Sequence, residues 1–188
     1  MREKAHALTE LKREMEACNK CSQLTKNCGA IFDNGNPDAD VMIIAEAAGQ
    51  DEETQCLPLI GRCGKLIAEM LEHIGLTREE TWRANVCACR PPGNRDPQPD
   101  EIENCRPFVN SQIAIIEPKM IILLGKFAAQ TFLGSTEPIG KMIGFWHCED
   151  SEEEVYVLYH PSYILRNGNT LIDEYKAHFE KIKEALVV

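Results

Sequence analysis

The chain has 188 residues, enough to bury one substantial core and too few for two comfortable domains, so residues 1–188 are read as a single domain. A formal net charge of −10 argues against a protein that coats itself in nucleic acid, because such binding rests on Lys and Arg contacts to phosphate; a local basic face stays compatible with it. No apolar run approaches the roughly 20 residues that span a bilayer, and an odd count of nine cysteines argues for thiolates that bind a metal or cluster rather than for a disulfide framework.

In chain order, "MREKAHALTELKREMEAC" is charged throughout and helical in character, without the apolar stretch of a signal peptide, so a cytoplasmic protein is expected. "CNKC" follows, with Cys18 and Cys21. Four apolar runs then read as buried parallel strands: Val41–Ala45, Arg83–Cys87, Met120–Leu124 and Val155–Tyr159. Helical patterns lie between and after them. "GKLIAEMLEHIG", 64–75, gathers Leu66, Ile67, Met70, Leu71 and Ile74 on one face and stops at glycine. "PDEIENCRPFVNSQIAIIEP", 99–118, opens with proline and acids, as helix N-termini do. "GKFAAQTFLG", 125–134, and "TLIDEYKAHFEKIKEALV", 170–187, complete the set. The acidic run "EDSEEE", 149–154, reads as a solvated turn. The alternation predicts a three-layer α/β/α sandwich around a short four-stranded parallel sheet. In such sheets ligands sit beyond the carboxyl ends of the strands. That rule selects "AEAAGQDEE", "NVCACRPP", "LGK" and "HPSYILRN".

The Cys-x-x-Cys pair lets two sulfurs reach one metal from a single turn. Cys89, after a strand end, and Cys105, in the helix beyond a Pro-rich loop, are candidates for the other two ligands; Cys28 is a rival. Four thiolates suit zinc or an iron–sulfur cluster, and spacing alone does not choose between them. Cys56, Cys63, Cys87 and Cys148 are expected to be small buried hydrophobes.

Taken together, "CNKC", "GNPDADVMIIAEAAGQDEE", "GRCGKLI", "NVCACRPPGNRDPQPDEIENC", "PKMIILLG" and "HPSYILRN" resemble the family 4, iron–sulfur uracil-DNA glycosylases over nearly the whole chain. The resemblance implies a 4Fe–4S cluster of structural role on Cys18, Cys21, Cys89 and Cys105, leaving Cys28 out. It implies hydrolysis of the bond between a flipped uracil and its deoxyribose in DNA, the sugar becoming oxocarbenium-like. Its catalytic set falls on His160, donor to the departing uracil, with Glu46 and Glu52. Its base-binding set falls on Glu46, Ala47, Leu59, Asn85 and His160; the Asn85 carboxamide matches N3–H and O4 of uracil. Leu165 and Arg166 fall in the loop expected to enter the duplex. A monomer acting on DNA in the cytoplasm, at the nucleoid, is expected.

The chain departs from that pattern in two places. The family's Gly-Glu-x-Pro-Gly is Ala45-Glu46-Ala47-Ala48-Gly49 here, and Leu59 replaces the phenylalanine that stacks on uracil. Base–aromatic stacking is worth roughly 1–3 kcal/mol, so Leu59 predicts either a weaker uracil pocket or one for another altered base. Cys56 is expected to bring an extra thiol near the pocket.

Overall fold

The computed structural model describes residues 2–21, 24, 28–146 and 153–186. Five strands form one sheet, β1 (Val41–Ala47), β2 (Thr81–Cys87), β3 (Met120–Leu124), β4 (Gly144–Trp146) and β5 (Glu154–Leu158), in the order β2-β1-β3-β5-β4. The expected four parallel strands are present, and the expectation of a purely parallel four-stranded sheet is corrected by β4, which pairs antiparallel with β5 at the edge. Three residues are too few to carry a period-2 signal, so only pairing reveals β4. The other strands also shift a little: Thr81 and Trp82, both buried, extend β2, and β5 begins at Glu154, the last residue of the acidic run read as a turn. Of that run, 149–152 lie outside the described residues.

Eight helices accompany the sheet among the described residues: α1 (Arg2–Glu16), α2 (Gln50–Gln55), α3 (Arg62–His73), α4 (Pro99–Ile116), α5 (Lys126–Leu133), α6 (Ile139–Met142), α7 (Pro161–Asn167) and α8 (Asn169–Leu186). Strand residues alternate between two apolar layers, as the pleat demands. Met42, Ile44, Ile121, Leu123 and Val157 pack with Leu8, Leu11 and Met15 of α1, Val109 of α4 and Ala128 of α5. Val41, Ile43, Ile122 and Leu158 face the other way, onto Leu66 and Met70 of α3, Ile164 of α7 and Phe179 of α8. Helices therefore flank the sheet on both sides, and the three-layer arrangement holds. The carboxyl ends of β1, β2, β3 and β5 converge at one rim, where the four selected segments meet.

Candidate active site

A cavity of about 550 Å³ opens at that rim. Ala45, Glu46, Ala47, Ala48 and Gly49 line it from the end of β1, with Glu52 from α2. Leu59 and Cys63 close one wall, Asn94, Arg95 and Asp96 another, and His160, Ser162 and Arg166 a third.

His160 is the N-cap of α7, two residues beyond the end of β5. Its Nδ1 accepts a hydrogen bond from the Ser162 backbone amide at 3.2 Å and lies 2.8 Å from Ser162 Oγ. A ring nitrogen that accepts from an amide carries no proton, so the neutral ring holds its proton on Nε2. Burial, then the charge of Arg166, pushes the histidine's pKa down to about 4, so it is uncharged at neutral pH. Gly125, which ends β3, permits this placement: its φ of +89° favours glycine, and a Cβ there would lie 2.8 Å from His160 Cβ.

Asn85 pairs in register with Ala45 on the neighbouring strand and is 4% exposed. Neither its Oδ1 nor its Nδ2 has a partner among the described residues. A buried carboxamide without partners is costly, and a ligand that supplies a donor and an acceptor relieves that cost.

The two acids on the β1 side behave differently. Burial, then the like charge of Asp96 across the cavity, raises Glu46 to about 7, with Lys126 acting in the opposite sense. Glu52 closes the capping box of α2: its carboxylate accepts from the Gly49 amide and, at 3.0 Å, from the Leu59 amide. Its oxygens are thus engaged in holding backbone.

Leu59 is 2% exposed with a left-handed φ of 52°. The conformation is held from several sides. Arg78, in the turn before β2, donates to Leu59 O at 2.6 Å and to Pro58 O at 2.7 Å. Gly64 of α3 lies so close that a Cβ there would sit 1.9 Å from Leu59 O. Sequence reasoning missed Arg78, which carries no local signal, because its partners are 19 and 20 residues away. It also left Ser162 and Asp96 without roles; Ser162 was readable as the residue two positions into a helix capped by His160.

The Pro-rich loop is tied down by its own arginines. Arg95 makes a two-pronged ion pair with Glu101 of α4 at 2.6 and 2.9 Å, and Arg90 reaches Glu53 of α2 at 3.0 Å. Arg166 has no ion pair among the described residues and is exposed at the cavity mouth. Leu165, expected to enter DNA, is half-buried and packs on the α3 side of the core.

The cysteines divide by position. Cys87 is buried as expected, Cys63 is half-buried on the cavity wall, and Cys148 lies outside the described residues. Cys56 is exposed, which corrects the expectation of a buried thiol; it caps the end of α2 in the left-handed conformation. The extra thiol lining the pocket is therefore Cys63 rather than Cys56. Among the described residues no three His, Cys, Asp or Glu side chains close up as a metal site. The donor chemistry of the four expected ligands still fits a thiolate-bound cluster. Burial raises the Cys21 thiol, which also feels the charges of Cys105 and Cys18 and accepts from Asn104 at 3.5 Å. Cys89 and Cys105 are buried. Cys28, a free thiol, is hydrogen-bonded with Cys56 and also feels Cys89; burial followed by the Cys56 contact pushes it up to about 12.

Comparison with known proteins fixes the class first: the profile of the Uracil DNA glycosylase superfamily matches residues 32–187. The chain is 36% identical over 188 residues to a type-4 uracil-DNA glycosylase of Archaeoglobus fulgidus, covering 95% of this chain and 92% of that one. It is 35% identical to the type-4 enzyme of Sulfurisphaera tokodaii over 96% of this chain and 86% of the relative, and 34% identical to that of Thermotoga maritima over 81% and 80%. The chain belongs to the type-4 uracil-DNA glycosylases of this superfamily. No helix among the described residues is long and apolar enough to cross a membrane.

Proposed function

We propose that this protein is a DNA glycosylase that hydrolyses the N-glycosidic bond of uracil in DNA, the first step of base excision repair. The observation that carries the reading is the pairing, at one rim, of a neutral His160 with its proton on Nε2 and a buried Asn85 whose side-chain atoms have no partner among the described residues. Asn85 donates to O4 and accepts from N3–H of an extruded uracil. The C1′–N1 bond breaks with its electron pair passing to the base, and His160 Nε2–H donates to the oxyanion that develops there. Water adds its oxygen to C1′ and loses a proton to solvent, and the released uracil anion takes one up, so that free uracil and an abasic sugar result. Glu46 orients that water and steadies the cationic sugar in its ionised form, while Ala47 and Leu59 shape the base pocket. Glu52 acts on catalysis through the backbone it holds. Arg166 faces the DNA at the mouth, while Leu165, half-buried on the α3 side of the core, supports the helix that carries it.

A 4Fe–4S cluster on Cys18, Cys21, Cys89 and Cys105 completes the protein in this reading. When bound it supplies a staple between the segment after α1 and the Pro-rich loop. The partner is DNA, the protein is a monomer, and it works in the cytoplasm on the nucleoid.

Leu59 favours a second reading, a pocket for another altered base, because an aliphatic wall offers no flat π-face. Single-turnover assays on oligonucleotides bearing one uracil, hypoxanthine or xanthine separate the two. Free uracil and an abasic strand are expected, and His160→Ala is expected to slow release about 100-fold or more with DNA affinity retained. DNA binding with no base released would overturn the enzymatic reading; release of hypoxanthine or xanthine alone would select the second.

A further inference from the structure

The helix that His160 caps carries one of the chain's two exposed large apolar side chains among the described residues. Tyr163 is 40% exposed, whereas most large apolar side chains of the chain are buried. Its ring stacks on Tyr159 with centroids 4.8 Å apart and planes 29° from parallel. Tyr159 is itself anchored, since Tyr175, fully buried below, donates its hydroxyl to Tyr159 O at 3.0 Å. The backbone under Tyr163 is equally fixed: its amide donates to His160 O at 2.9 Å, and its carbonyl accepts from Asn167 at 2.7 Å. The Tyr163 hydroxyl makes no hydrogen bond among the described residues.

The result is a flat ring whose inner face is packed and whose outer face is open. It lies three residues from His160 and three from Arg166, so it shares a helix surface with the residues of the cavity mouth. Leu165, by contrast, is turned to the core. A pre-packed aromatic at low entropy cost is the form that proteins use to hold unpaired bases. The surrounding charge favours the same occupant. The chain carries −10, and Arg90 and Arg95 near the mouth are consumed by ion pairs, so few cations remain there for phosphate. A base-stacking contact adds affinity without them.

We propose that Tyr163, backed by Tyr159, is a stacking platform for a nucleobase that flanks the extruded nucleotide on the same DNA strand. This rests on the DNA-glycosylase reading, which uracil release by the unaltered protein tests separately.

The experiment measures affinity for a single-stranded oligonucleotide with one abasic-site analogue, by fluorescence anisotropy across a range of salt. Tyr163→Ala should weaken binding by about 5- to 150-fold, the range of one lost base–aromatic stack. Tyr163→Phe should bind as the parent does. Tyr163→Leu, which still covers Tyr159, should fall between them, so that a loss in the alanine variant is not mistaken for damage to the stack beneath. Inhibition by free uracil, which does not reach Tyr163, should be the same in all four proteins. Parent-like affinity in Tyr163→Ala would overturn the proposal. So would an equal loss in Tyr163→Phe, which would assign the effect to the hydroxyl, or a shallower salt dependence in Tyr163→Ala, which would assign it to phosphate.

Discussion

Replacing Arg78 by methionine tests whether a residue outside the cavity sets the shape of its wall. The guanidinium donates to two consecutive carbonyls, Pro58 O and Leu59 O, at 2.7 and 2.6 Å. A hydrogen bond from a charged donor contributes about 1.5–3 kcal/mol, so the pair sets a ceiling near 3–6 kcal/mol. The Arg78 side chain is 24% exposed, so water replaces part of what is lost, and Glu52 still holds the Leu59 amide. We therefore expect about 1.5–3 kcal/mol to act on the Leu59 turn. Its left-handed residue, strained for a side chain of this kind, then relaxes toward commoner conformations and leaves the base wall. That energy corresponds to about a 10- to 150-fold weaker inhibition by free uracil. Asp33 keeps Arg83 as its partner at 2.9 Å, so the buried ion pair beside the turn survives and the fold is retained. Arg78→Lys, which offers a point charge in place of a planar fork, should fall between parent and methionine variant. The assay is inhibition of single-turnover cleavage by added uracil, with affinity for abasic DNA as the control. Unchanged uracil inhibition in Arg78→Met, even with a lower melting temperature, would refute the reasoning and leave Arg78 a purely structural residue.

The acid limb of the rate belongs to Glu46 in our scheme. Its pKa is raised to about 7, so cleavage should rise with pH through that value and level off above it, while His160, neutral above about 4, adds no limb there. Asp96→Asn removes the like charge that faces Glu46 and leaves Lys126 to act alone, so the limb should move to lower pH in a single-turnover pH profile; a move upward, or none, would exclude the coupling. Cys89→Ala should lose iron, the broad absorbance near roughly 400 nm and soluble yield, whereas Cys28→Ala should keep all three; stoichiometric zinc without iron in anaerobically purified protein would exclude the cluster.

Much of the architecture was legible in the chain. The four parallel strands were readable because burial on both faces makes them apolar runs, unbroken in β3 and interrupted by Arg83 and Asn85 in β2, and α3 because its apolar residues keep helical spacing and end at glycine. The family resemblance singled out His160, Asn85, Glu46 and Leu59, and the first three also lie in segments that chain order places at strand ends. What stayed hidden depends on partners distant in sequence. β4 is three residues long and exists only through its pairing with β5. Arg78 looks like any surface arginine until folding brings it under Leu59. Whether an acid is engaged or free, as Glu52 and Glu46 differ, follows from which backbone amides fold against it. Cys56 and Cys63, both read as buried, were separated by a left-handed helix cap and a cavity wall. On α7, Leu165 and Tyr163 are both large side chains that the sequence alone allows to face the core. The packing of that helix against α3 and α8 half-buries the first and leaves the second facing out, because residues two apart on a helix point to different sides.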